Sequence, residues 1–364
     1  MASYSIAVIP GDGIGQEVVP AAIKVVDAAG RRFGFDCRWT SFDWGCERFA
    51  RTGSMMPDDG LDTLRGHDAI FLGAVGYPGV PDHVSLWGLL IPIRRTFQQY
   101  INLRPVRLLS GVRSPLADRR PDEIDFVIVR ENNEGEYSEI GGRLYRGTDD
   151  EMAVQQAVFT RRGVDRVLRY AFALARSRPA RHLTSATKSN GIIHSMPFWD
   201  ERFAALSREY PDVTTDQFHI DILSAHLVQH PDWFDVIVAS NLFGDILSDI
   251  GPAIAGSIGL APGANLNPER SLPSMFEPVH GSAPDIAGKG IANPIAQVWT
   301  AAMMLDHLEE REAAAALVGA IETQLAEGVV LTRDLGGDAT TAAVAEALAR
   351  RVEEGGQPET GAAG

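Results

Sequence analysis

Cysteine is almost absent from this chain of 364 residues; only Cys37 and Cys46 occur. Their spacing fits neither a metal knuckle nor a redox pair, which excludes a disulfide framework and leaves buried free thiols in a reducing cytosol. Positive charge is also scarce: 33 Lys and Arg stand against 48 Asp and Glu, a formal net charge of −15. A nucleic-acid partner calls for a basic face, and this balance argues against one. An anionic small molecule stays open, because a local group of arginines can invert the field inside a cleft. No uninterrupted apolar run approaches the ~20 residues that a membrane helix needs. The opening Met1-Ala2-Ser3-Tyr4 runs into a strand-like stretch without the basic region of a signal peptide. The expectation is a cytoplasmic protein with no membrane partner. Internal repeats, low-complexity linkers and composition breaks that would mark a domain boundary are missing too.

With 45% hydrophobic and 22% charged residues, the composition is that of a globular protein, long enough for two domains or one large α/β unit. Short apolar runs at Ser5–Pro10, Ala69–Leu72, Phe126–Arg130 and Val236–Ala239 read as buried strands. Helical periodicity is clear at Gln16–Ala29, Val164–Ala175, Asn293–Leu308, Ala313–Leu325 and Thr341–Val352. Strands interleaved with helices imply a largely parallel sheet with helices on its faces. The polar, turn-rich segment Gly141–Ala157 suits a projecting arm or hairpin that pairs with another subunit. The small, polar end Gly355–Gly364 is expected to fray. Gly11-Asp12-Gly13-Ile14-Gly15 follows the first strand, but its third glycine comes one residue too early for a dinucleotide fingerprint. It does permit a tight turn and a close backbone approach to a ligand.

The stretch Asn241-Leu242-Phe243-Gly244-Asp245-Ile246-Leu247-Ser248-Asp249 sets two carboxylates four residues apart in an apolar segment. On a helix they share one face and repel unless a cation lies between them. Mg²⁺ or Mn²⁺ would prefer such oxygen donors, although spacing alone also suits a solvated face. Asp221, in a mostly apolar segment, could add a third donor. Arg94, Arg104 and Arg130 stand in apolar or strand-end contexts, and three guanidinium forks would hold a dicarboxylate. Tyr137 and Lys188 are candidate proton carriers; a lysine near a divalent cation and several arginines should have a lowered pKa. Phe276–Pro294 is loop chemistry ahead of a helix, and a loop that long is usually functional. There Asp285 could accept from ribose hydroxyls, and His280 could approach a purine or a phosphate.

Taken together, these stretches resemble the isocitrate and isopropylmalate dehydrogenases, a family of metal-dependent β-decarboxylating enzymes. The similarity runs from Ile9-Pro10-Gly11-Asp12-Gly13-Ile14-Gly15 to about Leu305. Val84-Ser85-Leu86-Trp87-Gly88, Arg130–Ser138 and Thr184–Gly191 look most like the D-malate and tartrate dehydrogenase branch. The resemblance implies a two-domain, isopropylmalate-dehydrogenase-like α/β fold, not Rossmann, with a large mixed, mostly parallel sheet flanked by helices. Residues 1–100 with 256–364 would form the cofactor domain, and 101–255 the substrate, metal and dimerisation domain. Arg94, Arg104 and Arg130 match the carboxylate clamp, Tyr137 and Lys188 the acid–base pair, and Asp221, Asp245 and Asp249 the metal ligands. Lys188 and Asp221 would serve the neighbouring subunit of a homodimer. Glu277, His280, Gly281, Ser282, Ala283, Asp285, Ile286 and Asn293 would meet NAD, and Asp285-Ile286 resembles the NAD-using pattern. Relatives also respond to K⁺, for which the sequence shows no site. Residues just before the first clamp arginine would face the C3 substituent, here Leu90 with Trp87 and Ile91. The implied reaction is oxidative decarboxylation of D-malate to pyruvate and CO₂, with tartrate as a further substrate. Alternatives are 3-isopropylmalate oxidation, or a non-redox lyase or isomerase using the same metal and arginine set.

Overall fold

The structure, a computed structural model, describes residues 2–355. The frayed tail expected from Gly355 onward thus lies, past Gly355 itself, outside the described residues. The chain forms two compact units. The first takes the chain up to Gln99, Leu108–Ala117 and everything from Pro252 onward; the second takes Tyr100–Arg107 and Asp118–Gly251.

In the first unit, strands β1 (Ala2–Gly11), β2 (Phe35–Ser41), β3 (Ala69–Ala74), β11 (Ala264–Leu266) and β12 (Ser274–Phe276) lie in the order β2-β1-β3-β12-β11. All neighbours are parallel except β11 with β12. Every residue of β3 is buried, as a strand with a neighbour on both edges and helices on its faces should be. The helix Gly15–Phe33 buries Val18, Val19, Ala22, Val25, Val26 and Ala29, the spacing of one apolar face. It packs on helices Thr341–Glu354 and Ile295–His307. It ends where Gly34, at φ +84°, turns left-handed and returns its N–H to the Gly30 carbonyl. Each large apolar side chain removed from water here contributes about 1.5–3 kcal/mol.

The glycine turn at residues 11–15 brings its backbone close to neighbouring loops. A Cβ on Gly13 (φ +56°) would lie 2.0 Å from the Ser282 carbonyl oxygen, and that carbonyl accepts the Ile14 N–H at 2.8 Å. Between those glycines, the buried Asp12 carboxylate accepts from the N–H groups of Cys46, Glu47 and Gly76 at 3.0–3.2 Å. The turn therefore fastens loops together. Cys37 and Cys46 are both buried and unpaired, and burial pushes each thiol up to about 12.

In the second unit the sheet order is β4-β5-β10-β8-β9, from β4 (Ile101–Arg107), β5 (Asp125–Glu131), β8 (His182–Thr187), β9 (Thr214–His219) and β10 (Val236–Ala239). Only β4 with β5 is antiparallel. The four residues of β10 are all buried, which explains their unbroken apolar run. Between β5 and the next helix, β6 (Gly141–Leu144) and β7 (Met152–Gln155) form a separate antiparallel hairpin with every residue exposed. Among the described residues no helix is long and apolar enough to cross a membrane.

Candidate active site

Parallel strands that end together gather the residues following them, and open α/β sheets use those carboxyl ends for ligands. In the second unit this happens twice. At the first place Asn102 of β4, Arg130 of β5 and Ala239 of β10 stand in one row across the sheet. Arg104, two residues along β4, lies on the same face as Asn102 and donates its Nε–H to Asn102 Oδ1 at 2.7 Å. Ser240 then leads into the helix Asn241–Ile254, which carries Asp245 and Asp249.

Arg130 is buried and reaches that helix with its whole fork. Its Nη2 and Nε donate to Asn241 Oδ1 at 2.7 and 3.2 Å, and its Nη1 pairs with Asp245 Oδ1. Gly244 makes this approach possible, since a Cβ there would stand 2.5 Å from the Arg130 Cγ. The second Asp245 oxygen accepts the Tyr137 hydroxyl at 2.7 Å, and the Arg130 guanidinium sits 5.6 Å from the Tyr137 ring centre. Burial, then the bond to Asp245, pushes the Tyr137 phenol up to about 12, so it keeps its proton at neutral pH. One turn on, Asp249 is held above the usual carboxylate range by the protein packed around it and by the Asp245 charge, against Arg104 and Arg130. Two carboxylates one turn apart on a helix face offer the oxygen donors that a hard divalent cation prefers.

At the second place, Thr187 of β8 is the register partner of His219 of β9. The next residues therefore meet: Lys188 Nζ lies 2.8 Å from Asp221 Oδ1. Asp221 opens the helix Ile220–Gln229, where its exposed carboxyl is lowered by the Lys188 ammonium. Among the described residues no three acidic, histidine or cysteine side chains of this chain form a metal cluster. Asp245 and Asp249 are thus together, and Asp221 stands with Lys188 instead.

The remaining candidates lie in the first unit. Leu90 ends a π-helical stretch, Leu86–Leu90, and packs half-buried on the core formed by Ile9, Leu72 and Ile93. Arg94 follows in the helix Ile91–Thr96 and is buried, its Nη2 2.6 Å from Glu277 Oε1. Asn265 donates to that same oxygen at 2.8 Å, so the Glu277 carboxylate braces Arg94. In the loop that Glu277 opens, Ala283 and Ile286 pack on Ile14 and Val18. Ser282 is buried, while Gly281 and Asp285 are exposed. His280 is buried with its Nε2 lacking a hydrogen-bond partner, and burial lowers its pKa. A buried ring nitrogen without a partner suits a site that a ligand completes. Asn293 is engaged at both ends, donating to Asp334 at 2.9 Å and accepting the Ile295 N–H at 3.0 Å. The residues that sequence reasoning missed are Asn102, Glu136, Asn241 and Asn265. Each is polar and short of an independent motif, and becomes visible only once the fold gives it a partner, for Glu136 the Ser240 hydroxyl.

Fold and comparisons together make the chain an oxidoreductase acting on small dicarboxylates. It belongs to the isocitrate/isopropylmalate dehydrogenase family, whose model matches residues 5–348. The chain is 58% identical over 357 residues to the D-malate dehydrogenase [decarboxylating] of Escherichia coli strain K12, covering 96% of this chain and 99% of that protein. It is 55% identical to the tartrate dehydrogenase/decarboxylase of Pseudomonas putida, with 96% and 98% covered. A crystal structure of isocitrate dehydrogenase from Methylococcus capsulatus superposes with a TM-score of 0.86 at 36% identity, over 96% of this chain and 99% of that one. The expected isopropylmalate-dehydrogenase-like α/β fold is what the structure has. The family generally works with NAD or NADP and a divalent metal ion. The lyase or isomerase alternative has no counterpart among these relatives.

Proposed function

We propose that this chain catalyses the NAD⁺- and divalent-metal-dependent oxidative decarboxylation of D-malate to pyruvate and CO₂, and also accepts tartrate. The observation that carries this reading is the convergence of Arg130 and Tyr137 on Asp245, in a chain 58% identical to a D-malate dehydrogenase. Arg94, Arg104 and Arg130 clamp the substrate carboxylates. Asp245, Asp249 and the Asp221 of a second copy would hold Mg²⁺ or Mn²⁺, which would supply positive charge beside the substrate oxygens. The Glu277–Asn293 loop would hold NAD⁺, which would supply the acceptor for the C2 hydride. Lys188 of the second copy takes the hydroxyl proton. As the C4 carboxylate leaves as CO₂, its bonding electron pair passes to C3, and Tyr137 donates its phenolic proton there.

The exposed Asp285 favours NAD⁺, since its carboxylate would accept from a ribose 2′-hydroxyl and repel a 2′-phosphate. Dimerisation is supported by exposed apolar side chains beside the site residues: Ile192, Ile193, Ile222, Leu242 and Ile246. The exposed β6–β7 hairpin adds Leu144, Met152 and Val154. Two buried unpaired thiols suit the cytoplasm. A K⁺ requirement belongs to the same reading, with no residue assigned to it.

Initial rates with D-malate, tartrate and 3-isopropylmalate, each with NAD⁺ or NADP⁺ and with or without Mn²⁺, test the reading. D-malate with NAD⁺ and Mn²⁺ is expected to be fastest and to stop on chelation. A large excess for isopropylmalate, or full activity after exhaustive chelation, would contradict it.

A further inference from the structure

Tyr137 lies outside the regular elements, yet its hydroxyl must be held against one oxygen of one aspartate. A bond at the hydroxyl end leaves the backbone of a loop residue to be held by its neighbours. The preceding residue does more: Glu136 Oε1 accepts the Ser240 hydroxyl at 2.9 Å, and its Oε2 accepts the Leu242 N–H at 3.0 Å. Ser240 immediately precedes, and Leu242 lies in the first turn of, the helix that carries Asp245 and Asp249. A carboxylate there satisfies a backbone donor that has no partner within the helix, and it sits at the positive end of the helix dipole. The neighbouring Glu134 carbonyl accepts from Asn241 Nδ2 at 3.2 Å, and Gly135 bridges to Val158 in both directions at 2.7 and 3.0 Å. Both carboxylate oxygens of Glu136 are thus bonded at the entrance of this helix.

We propose that Glu136 is a positioning residue for the proton-delivering half of the reaction. By clamping the chain next to Tyr137 onto the first helical turn, it sets the Tyr137 hydroxyl relative to Asp245 and to the carbon that receives the proton. The proposal rests on the decarboxylating reading above. Hydride transfer with Lys188 does not use this clamp, so the two halves of the reaction should separate when it is cut.

The test uses Glu136→Ala and Glu136→Gln in the full-length protein with Mn²⁺, and two half-reactions. The first is reduction of oxaloacetate by NADH, which needs hydride transfer and Lys188. The second is exchange of the pyruvate methyl hydrogens with D₂O, followed by NMR, which needs proton transfer at carbon. Glu136→Ala is expected to lose about tenfold or more in exchange and less than about threefold in reduction, as misplacing a reacting group does. Glu136→Gln keeps one acceptor oxygen and should recover part of the loss, and it serves as the working variant if Glu136→Ala does not fold. Parallel losses in both half-reactions, or unchanged exchange, would overturn the proposal. If the native enzyme performs neither half-reaction, the decarboxylating reading fails first and the proposal falls with it.

Discussion

Asp245 joins the site's charges at the scale of single residues. One oxygen pairs with the buried Arg130 and the other accepts from Tyr137, while burial, and then the Asp245 charge, raise the carboxyl of Asp249 one turn away. Lys188 has a simpler environment, with Asp221 at 2.8 Å and a partly exposed side chain. If it accepts the hydroxyl proton, Lys188→Met should cut turnover by about 10²–10⁴-fold. NADH affinity, read by fluorescence titration, should stay within about twofold, since the cofactor loop is untouched. Turnover near normal would remove Lys188 from its role. Arg130, Tyr137, Lys188 and the paired aspartates could be singled out from sequence because each stands in an unusual context or a long motif. Glu136 and Asn241 lie inside those same motifs and were passed over. Their value depends on which strand end faces which helix turn, and no local pattern carries that.

The elements behind the site carry a pH signature of their own. Glu131 closes β5 and is buried, its carboxylate accepting the N–H groups of Asn133 and Glu134 at 2.8–3.0 Å. Burial outweighs those bonds and pushes its pKa up from 4.5 to about 7. Because the folded value exceeds the unfolded one, Glu131's contribution to stability is fullest below pH 4.5 and is lost as pH rises through about 7. Over that window the unfolded chain gives up a proton that the folded chain keeps. Glu131→Gln removes the titration. Its stability relative to the native protein should therefore be more favourable at pH 8 than at pH 5 by about 1–3 kcal/mol in urea unfolding. The same difference at both pH values would contradict this. Buried strands such as β3 and β10 were legible as apolar runs, and the long helices as 3.6-residue periodicity. β9, Thr214–His219, was not, because a half-exposed edge strand of polar residues has no alternation to read. The π-helical stretch before Arg94 was also hidden, since its extra residue per turn leaves no mark in composition.

At the scale of the whole molecule, the chain leaves one unit for the other and returns, with no linker composition to mark the passage. The same silence covers assembly: exposed isoleucines read as ordinary core residues until the fold turns them outward. The proposed sharing of the site between two copies has a direct consequence. Lys188→Met and Tyr137→Phe homodimers should each be nearly inactive, one lacking the proton acceptor and the other the donor. Unfolding, mixing and refolding the two would create heterodimers in which one site joins an intact Tyr137 from one chain to an intact Lys188 from the other. With random pairing, half the dimers carry one such site, so activity should return to about a quarter of the native value. If the mixture stays as inactive as its components while the native enzyme, refolded alongside, recovers, Lys188 and Tyr137 do not act together across two copies, and the shared site is wrong.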